Sequence, residues 1–170
     1  LYNGERHIAE AIESALTQTE PAFELLIGDD GSTDATLDVV ARYQDPRIRV
    51  IKAAKNQGQF PNINSLLPQV HTPLVKFLCH DDVLEPACIA AHLAFFDEHP
   101  AAVMSQCQAE MFEDETGRIL GRWPVERAPV VYDRITALQL FLYYGCVPGN
   151  LSSVCVRTEA FAKVGGFDES

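Results

Sequence analysis

A chain of 170 residues, 47% hydrophobic and 22% charged, is long enough to bury a core and too apolar to stay disordered. Its formal net charge of −11 and pI near 4.7 exclude a sequence-independent phosphate binder, because nucleic acid calls for clustered Lys and Arg. No apolar run approaches the roughly 20 residues that cross a bilayer, and Leu1-Tyr2-Asn3-Gly4-Glu5 lacks the basic and apolar regions of a signal peptide. The five cysteines, Cys79, Cys88, Cys107, Cys146 and Cys155, are odd in number and have no CxxC spacing. They point away from a zinc site or disulfide framework and toward a reducing cytoplasm.

Asn3 is placed to cap a helix whose apolar positions Ile8, Ala11, Ile12, Ala15 and Leu16 recur at helical spacing, ending near Gln18 before Pro21. Phe23 to Ile27 is a short apolar run ending in Gly28-Asp29-Asp30-Gly31. Ser32, Thr33 and Asp34 then supply caps for a helix carrying Leu37, Val40 and Ala41. The order repeats with a strand over Ile48 to Ile51, a loop at Asn56-Gln57-Gly58, and a helix opening at Pro61 with Ile63, Leu66, Leu67 and Val70. Leu74 to Leu78 reads as another buried strand, which runs out into Cys79-His80-Asp81-Asp82. Glu85-Pro86 opens a helix with Ile89, Leu93 and Phe96 on one face. Beyond Pro100 the pattern predicts a strand over Val103 to Phe112, a turn at Glu113 to Gly117, a helix near Ile135 to Leu142 and a strand over Leu151 to Val156. Strands alternating with helices predict one α/β domain with a mostly parallel sheet covered on both faces, and ligands at the carboxyl ends of its strands.

Two acidic pairs leave two such strand ends. Asp29-Asp30 either caps the following helix or offers a carboxylate to a base N–H, which would select a ring carrying a donor there. Asp81-Asp82 is either a solvated pair favoured by a helix dipole or a metal site. Two adjacent acids repel unless a cation is present, and Mg²⁺ or Mn²⁺ in nucleotide sites takes one or two carboxylates and completes its shell with phosphates and water. His80 is a further candidate ligand or a neutral hydrogen-bonding residue.

Tyr2-Asn3-Gly4-Glu5, Phe23 to Asp34, Phe77 to Asp82 and Val164-Gly165-Gly166-Phe167-Asp168-Glu169, in this order and spacing, resemble family 2 glycosyltransferases. The resemblance implies a GT-A fold and an inverting transferase that takes a UDP-, GDP- or dTDP-sugar, uses Mg²⁺ or Mn²⁺, and glycosylates a saccharide, lipid or protein acceptor. It places such an enzyme in the cytoplasm or at the inner face of the membrane. Carried over by position, Tyr2 stacks on the base, Asp30 binds the base edge, Asp81 faces the ribose or donor sugar, and Asp82 ligates the metal. Asp29 becomes a structural neighbour, and the Gly165 to Glu169 segment either lies near the acceptor or is a glycine-permitted turn. Residues 1–100 then form the nucleotide-binding half and 101–170 begin the acceptor side.

This chain departs from the family at several points. Cys79 stands where an Asp is common, and Ile63 stands where an Arg is. The resemblance also implies an apolar strand ahead of Tyr2, a further C-terminal part, and a general base beyond Ser170, so that these 170 residues bind a donor at best. Two other classes fit less well. A nucleotidyltransferase needs a Gly-rich phosphate loop with a basic residue, and the alternative to an enzyme is a degenerate module that holds a nucleotide sugar or a protein without turnover.

Overall fold

The computed structural model describes residues 1–123, 131–133, 135–137, 139 and 150–169. Helix α1 (Ile8–Leu16) buries Ile8, Ala11, Ile12 and Ala15, the stripe that its apolar spacing predicts. It begins after His7, and Asn3 does not cap it. Asn3 sits in the left-handed region at φ 49°, and its side-chain oxygen accepts from Thr33 N (2.9 Å). Gly4 O closes the entry turn by accepting from His7 N and Ile8 N.

Strand β1 (Leu25–Asp29) pairs in parallel with β2 (Ile48–Lys52), Leu25 opposite Ile48 and Asp29 opposite Lys52. The short helix α2 (Thr36–Val40) lies between them in the chain. Ile27 and Val40 join Ile8, Ala11 and Ile12 in one core, against which Leu25, Ile48 and Leu78 pack. Helix α3 (Gln59–Leu66) carries Pro61 in its first turn, where the missing N–H costs nothing. A Cβ at Gly28 would run into the Leu66 side chain, so glycine lets α3 approach β1. Asn62 Nδ2 then donates to Gly28 O at 3.0 Å.

The second half is built on strands distant in sequence. β3 (Leu74–Lys76) and β4 (Met104–Gln106) do not pair with each other; β7 (Val154–Arg157) runs between them, antiparallel to both. Among the described residues the β1 and β2 pair is therefore parallel and the sheet of β3, β7 and β4 wholly antiparallel. Helix α4 (Cys88–Glu98) packs on β4, and α5 (Thr158–Val164) follows β7 and ends at Gly165, φ 85°. The single strand expected over Val103 to Phe112 is two elements in different sheets: the ladder of β4 on β7 ends with the bond from Cys107 N to Ser153 O, and the next strand pairs elsewhere. Beyond that break, β5 (Ala109–Phe112) forms a hairpin with β6 (Ile119–Trp123) around the expected turn. The segment Leu151–Ser153 is a 3₁₀ turn capped by Asn150, so the expected strand begins only at Val154. The helix expected near Ile135 to Leu142 lies largely outside the described residues.

One buried amide joins the end of α1 to the start of α4. Gln18 Nε2 donates to Ser14 O and Glu85 O, while its Oε1 accepts from Ile89 N in the first turn of α4. Helix α4 thus takes its amino-terminal partner from the end of α1 rather than from a residue of its own.

Candidate active site

The first two motifs are each other's hydrogen-bond partners. Asn3 N donates to Ser32 Oγ (3.0 Å), Gly4 N to Thr36 Oγ1 (2.8 Å) and Glu5 N to Asp34 Oδ2 (3.2 Å). Glu5 Oε2 accepts in return from Ala35 N (2.8 Å). Short polar side chains follow β1 because their oxygens satisfy a neighbouring loop's backbone, which is why Ser32, Asp34 and Thr36 do not simply cap α2. The third motif closes on the same knot. A Cβ at Gly4 would lie 2.5 Å from His80 Cδ2, so the absence of a side chain at Gly4 lets the end of β3 approach.

Tyr2, Asp30, His80 and Asp81 line one cleft of about 600 Å³ that runs between β1 and β3. Leu1 already pairs along the open edge of β1, its N donating to Gly28 O and its O accepting from Asp30 N. Tyr2 is 41% exposed, leaving a ring face available. Asp30 is 3% exposed, and its carboxylate accepts from Gln57 N (3.1 Å) and Gly58 N (2.9 Å), fixing the loop before α3 against the end of β1. A carboxylate has capacity beyond these amides, so the structure gives Asp30 a loop-holding part alongside any contact to a base. Asp29 is also buried and accepts from Ser32 N; it does not line the cleft.

Cys79, Asp81 and Asp82 converge beyond β3, with one donor atom of each within 4.8 Å of the others. Asp82 Oδ2 accepts from Asn150 Nδ2 at 3.3 Å, and Asp82 is outside the cleft lining that Asp81 joins. Burial pushes the Cys79 thiol up, and the charges of Asp82 and Asp81 add to the shift. The donors that remain are hard carboxylate oxygens, which suit Mg²⁺ or Mn²⁺ better than a soft ion.

The fourth motif is an anchor. Phe167 stacks on Phe60 with centroids 5.4 Å apart and meets Phe77 and Phe161 at 5.7 and 5.6 Å. Asn64 brackets its peptide, and Asn64 Nδ2 also reaches Glu169 Oε1 at 2.7 Å. Gly166 has φ 102° and a Cβ there would collide with Asn64 Oδ1, so both conformation and space require glycine. Asn64 was not singled out by its sequence; its partners lie about a hundred positions away.

This arrangement is the GT-A fold of sugar-nucleotide transferases. The chain belongs to glycosyl transferase family 2, whose description matches residues 1–155. It is 32% identical over 117 residues to a putative teichuronic acid biosynthesis glycosyltransferase, TuaG, of Bacillus subtilis, covering 68% of this chain and 46% of TuaG. It is 33% identical over 107 residues to the poly(ribitol-phosphate) β-N-acetylglucosaminyltransferase TarS of Staphylococcus aureus, covering 61% of this chain and 19% of TarS. The structure of TarS residues 1–349 in complex with UDP-GlcNAc superposes with a TM-score of 0.74 at 26% identity, covering 98% of this chain and 46% of that one. A mannosyltransferase from Pyrobaculum calidifontis, in complex with GDP-Man and Mn²⁺, shares the fold at 15% identity, with a TM-score of 0.71 over 100% of this chain and 46% of its own. The chain spans about half the length or less of these relatives. Among the described residues no helix is long and apolar enough to cross a membrane.

Proposed function

We propose that the protein of which these residues form the donor-binding part transfers a sugar, with inversion, from a nucleoside-diphosphate sugar to an acceptor hydroxyl. The observation that carries this reading is the meeting of Tyr2, Asp30 and Asp81 in one cleft, with Asp82 beside it at the end of β3. In this reading Tyr2 stacks on the base, Asp30 meets the base edge while holding its loop, and Asp81 faces the ribose or donor sugar. Residues 1–100 are the nucleotide-binding half, and the acceptor side begins at 101.

Asp82, with Asp81 nearby, would hold Mg²⁺ or Mn²⁺; when bound, the ion offsets charge that develops on the diphosphate leaving group. Asn150 orients the Asp82 carboxylate through its amide. A UDP-, GDP- or dTDP-sugar fits the pattern of residues, and the structures with UDP-GlcNAc and GDP-Man make the first two the donors to try first. Glu169 is engaged by Asn64, which suits an anchoring part, and the base that takes the acceptor proton is proposed to lie outside the described residues. The enzyme works in the cytoplasm or at the inner face of the membrane, where sugar nucleotides are available.

The test is release of nucleoside diphosphate by the complete protein from each donor, with Mn²⁺ and with chelator, across saccharide, lipid and protein acceptors. Donor binding without turnover under every condition would replace this reading with that of a non-catalytic nucleotide-sugar module.

A further inference from the structure

Away from the carboxylates, α4 and the end of β4 bring together Cys88, His92 and Cys107, with one ligand atom of each within 4.8 Å of the others. Cys88 and His92 stand four residues apart on one helix face, and Cys107 follows β4, on which that helix packs. His92 is 5% exposed. Its Nδ1 lies 2.7 Å from Ser105 Oγ, and its Nε2 is buried without a nitrogen or oxygen partner, the imidazole otherwise meeting the Cys107 thiol. A buried imidazole nitrogen without a polar partner costs stability, and a bound ion is one way to satisfy it. If Nδ1–H donates to Ser105 Oγ, Nε2 presents a lone pair, the arrangement in which a metal-binding histidine is oriented by its other nitrogen.

We propose that Cys88, His92 and Cys107 form a site for a borderline-soft divalent ion, zinc foremost, oriented by Ser105 and separate from the hard-oxygen site at Asp81 and Asp82. Two thiolates and an imidazole supply three of the four ligands that zinc prefers, and water takes the remaining position. Binding releases the thiol protons, leaving a dithiolate complex. The dication and the two thiolates cancel in charge, so the site stays neutral beside the largely buried Lys76 ammonium, which is held by Phe77 O and Ser152 O. Such an ion ties α4 to the β4 edge. The two clusters then sort metals by donor softness, thiolate and imidazole for zinc, carboxylate for Mg²⁺ or Mn²⁺.

Protein purified under reductant and stripped of metal is titrated with Co²⁺, and thiolate-to-cobalt charge-transfer absorption is read. One equivalent of thiolate-bound cobalt is expected, displaced by Zn²⁺, absent in Cys88→Ser and Cys107→Ser, and retained in Asp82→Asn. Ser105→Ala, which leaves all three ligands, should weaken Zn²⁺ affinity about 10- to 100-fold. As a check independent of variant folding, Zn²⁺ should protect Cys88 and Cys107 of the unaltered protein from alkylation while Cys79 reacts as before. Absence of the thiolate band in the folded unaltered protein, its persistence in Cys88→Ser, or equal alkylation of Cys88 and Cys107 with and without Zn²⁺ each overturns the proposal.

Discussion

Asn64 and Phe167, 103 residues apart, exchange hydrogen bonds: Asn64 Oδ1 accepts from Phe167 N at 2.8 Å, and Asn64 Nδ2 donates to Phe167 O at 2.9 Å. The side-chain amide acts as a stand-in peptide, pairing α3 with the loop after α5. Asn64→Ala strands both backbone groups and is expected to lower unfolding stability by about 1–3 kcal/mol. Asn64→Asp keeps the acceptor but sets a carboxylate against Phe167 O and Glu169 Oε1, so it should cost at least as much as Asn64→Ala. Urea unfolding midpoints of the three proteins give the order, and identical midpoints would remove the anchor role.

Gly4 faces His80 at a separation that leaves no room for a methyl group. Gly4→Ala should destabilise by roughly 1–3 kcal/mol, as overpacking does. His80→Ala in the same chain should recover most of that loss, since it opens the space. Thermal melts of both single variants and the pair test the coupling; additive effects would show that Gly4 matters for another reason.

Asp82→Asn is expected to weaken Mn²⁺-dependent nucleotide binding more than Asp29→Asn, because Asp29 is buried against Ser32 N. Calorimetric titration of UDP with and without Mn²⁺ separates them. Equal losses would dislodge Asp82 from the metal.

At the cleft mouth, Tyr2→Ala should cost UDP and uridine alike about 1–3 kcal/mol, the size of base–aromatic stacking. Phosphate takes no part in the proposed stacking, so that reading expects the two ligands to lose equally. A loss confined to UDP would assign Tyr2 to the diphosphate instead.

The Arg47 guanidinium, hydrogen-bonded to Asp45, holds that carboxyl down at about 2. An unfolded Asp titrates near ~3.9, so the pair's contribution is full above that pH and disappears as pH falls through the folded value. Asp45→Asn should therefore differ from the parent at neutral pH and converge with it in strong acid, as followed by urea unfolding at a series of pH values.

The local elements were legible because their signals are local. The apolar spacing of α1, the runs at β1 and β2, and the acidic ends of β1 and β3 follow from residues within a few positions of one another. What escaped depends on distant partners. Asn3 has the chemistry of a helix cap, but Thr33 claims its oxygen. Val103 to Phe112 reads as one strand, and only its two different partners, β7 for the first part and β6 for the second, divide it. The Cys88-His92-Cys107 cluster has no CxxC spacing, because one ligand pair follows helical periodicity and the third arrives from the neighbouring strand.

The placement of β7 between β3 and β4 has a bearing on how the chain acquires its shape during synthesis. Lys76 and Ser105 both wait for Cys155, so neither strand has its partner until residues far downstream have left the ribosome. The β1 and β2 pair needs no such wait, and α1 can settle on it at once. The two sheets thus differ in contact distance along the chain, the β1 and β2 pairing being the more local and the pairing of β3 and β4 with β7 the less.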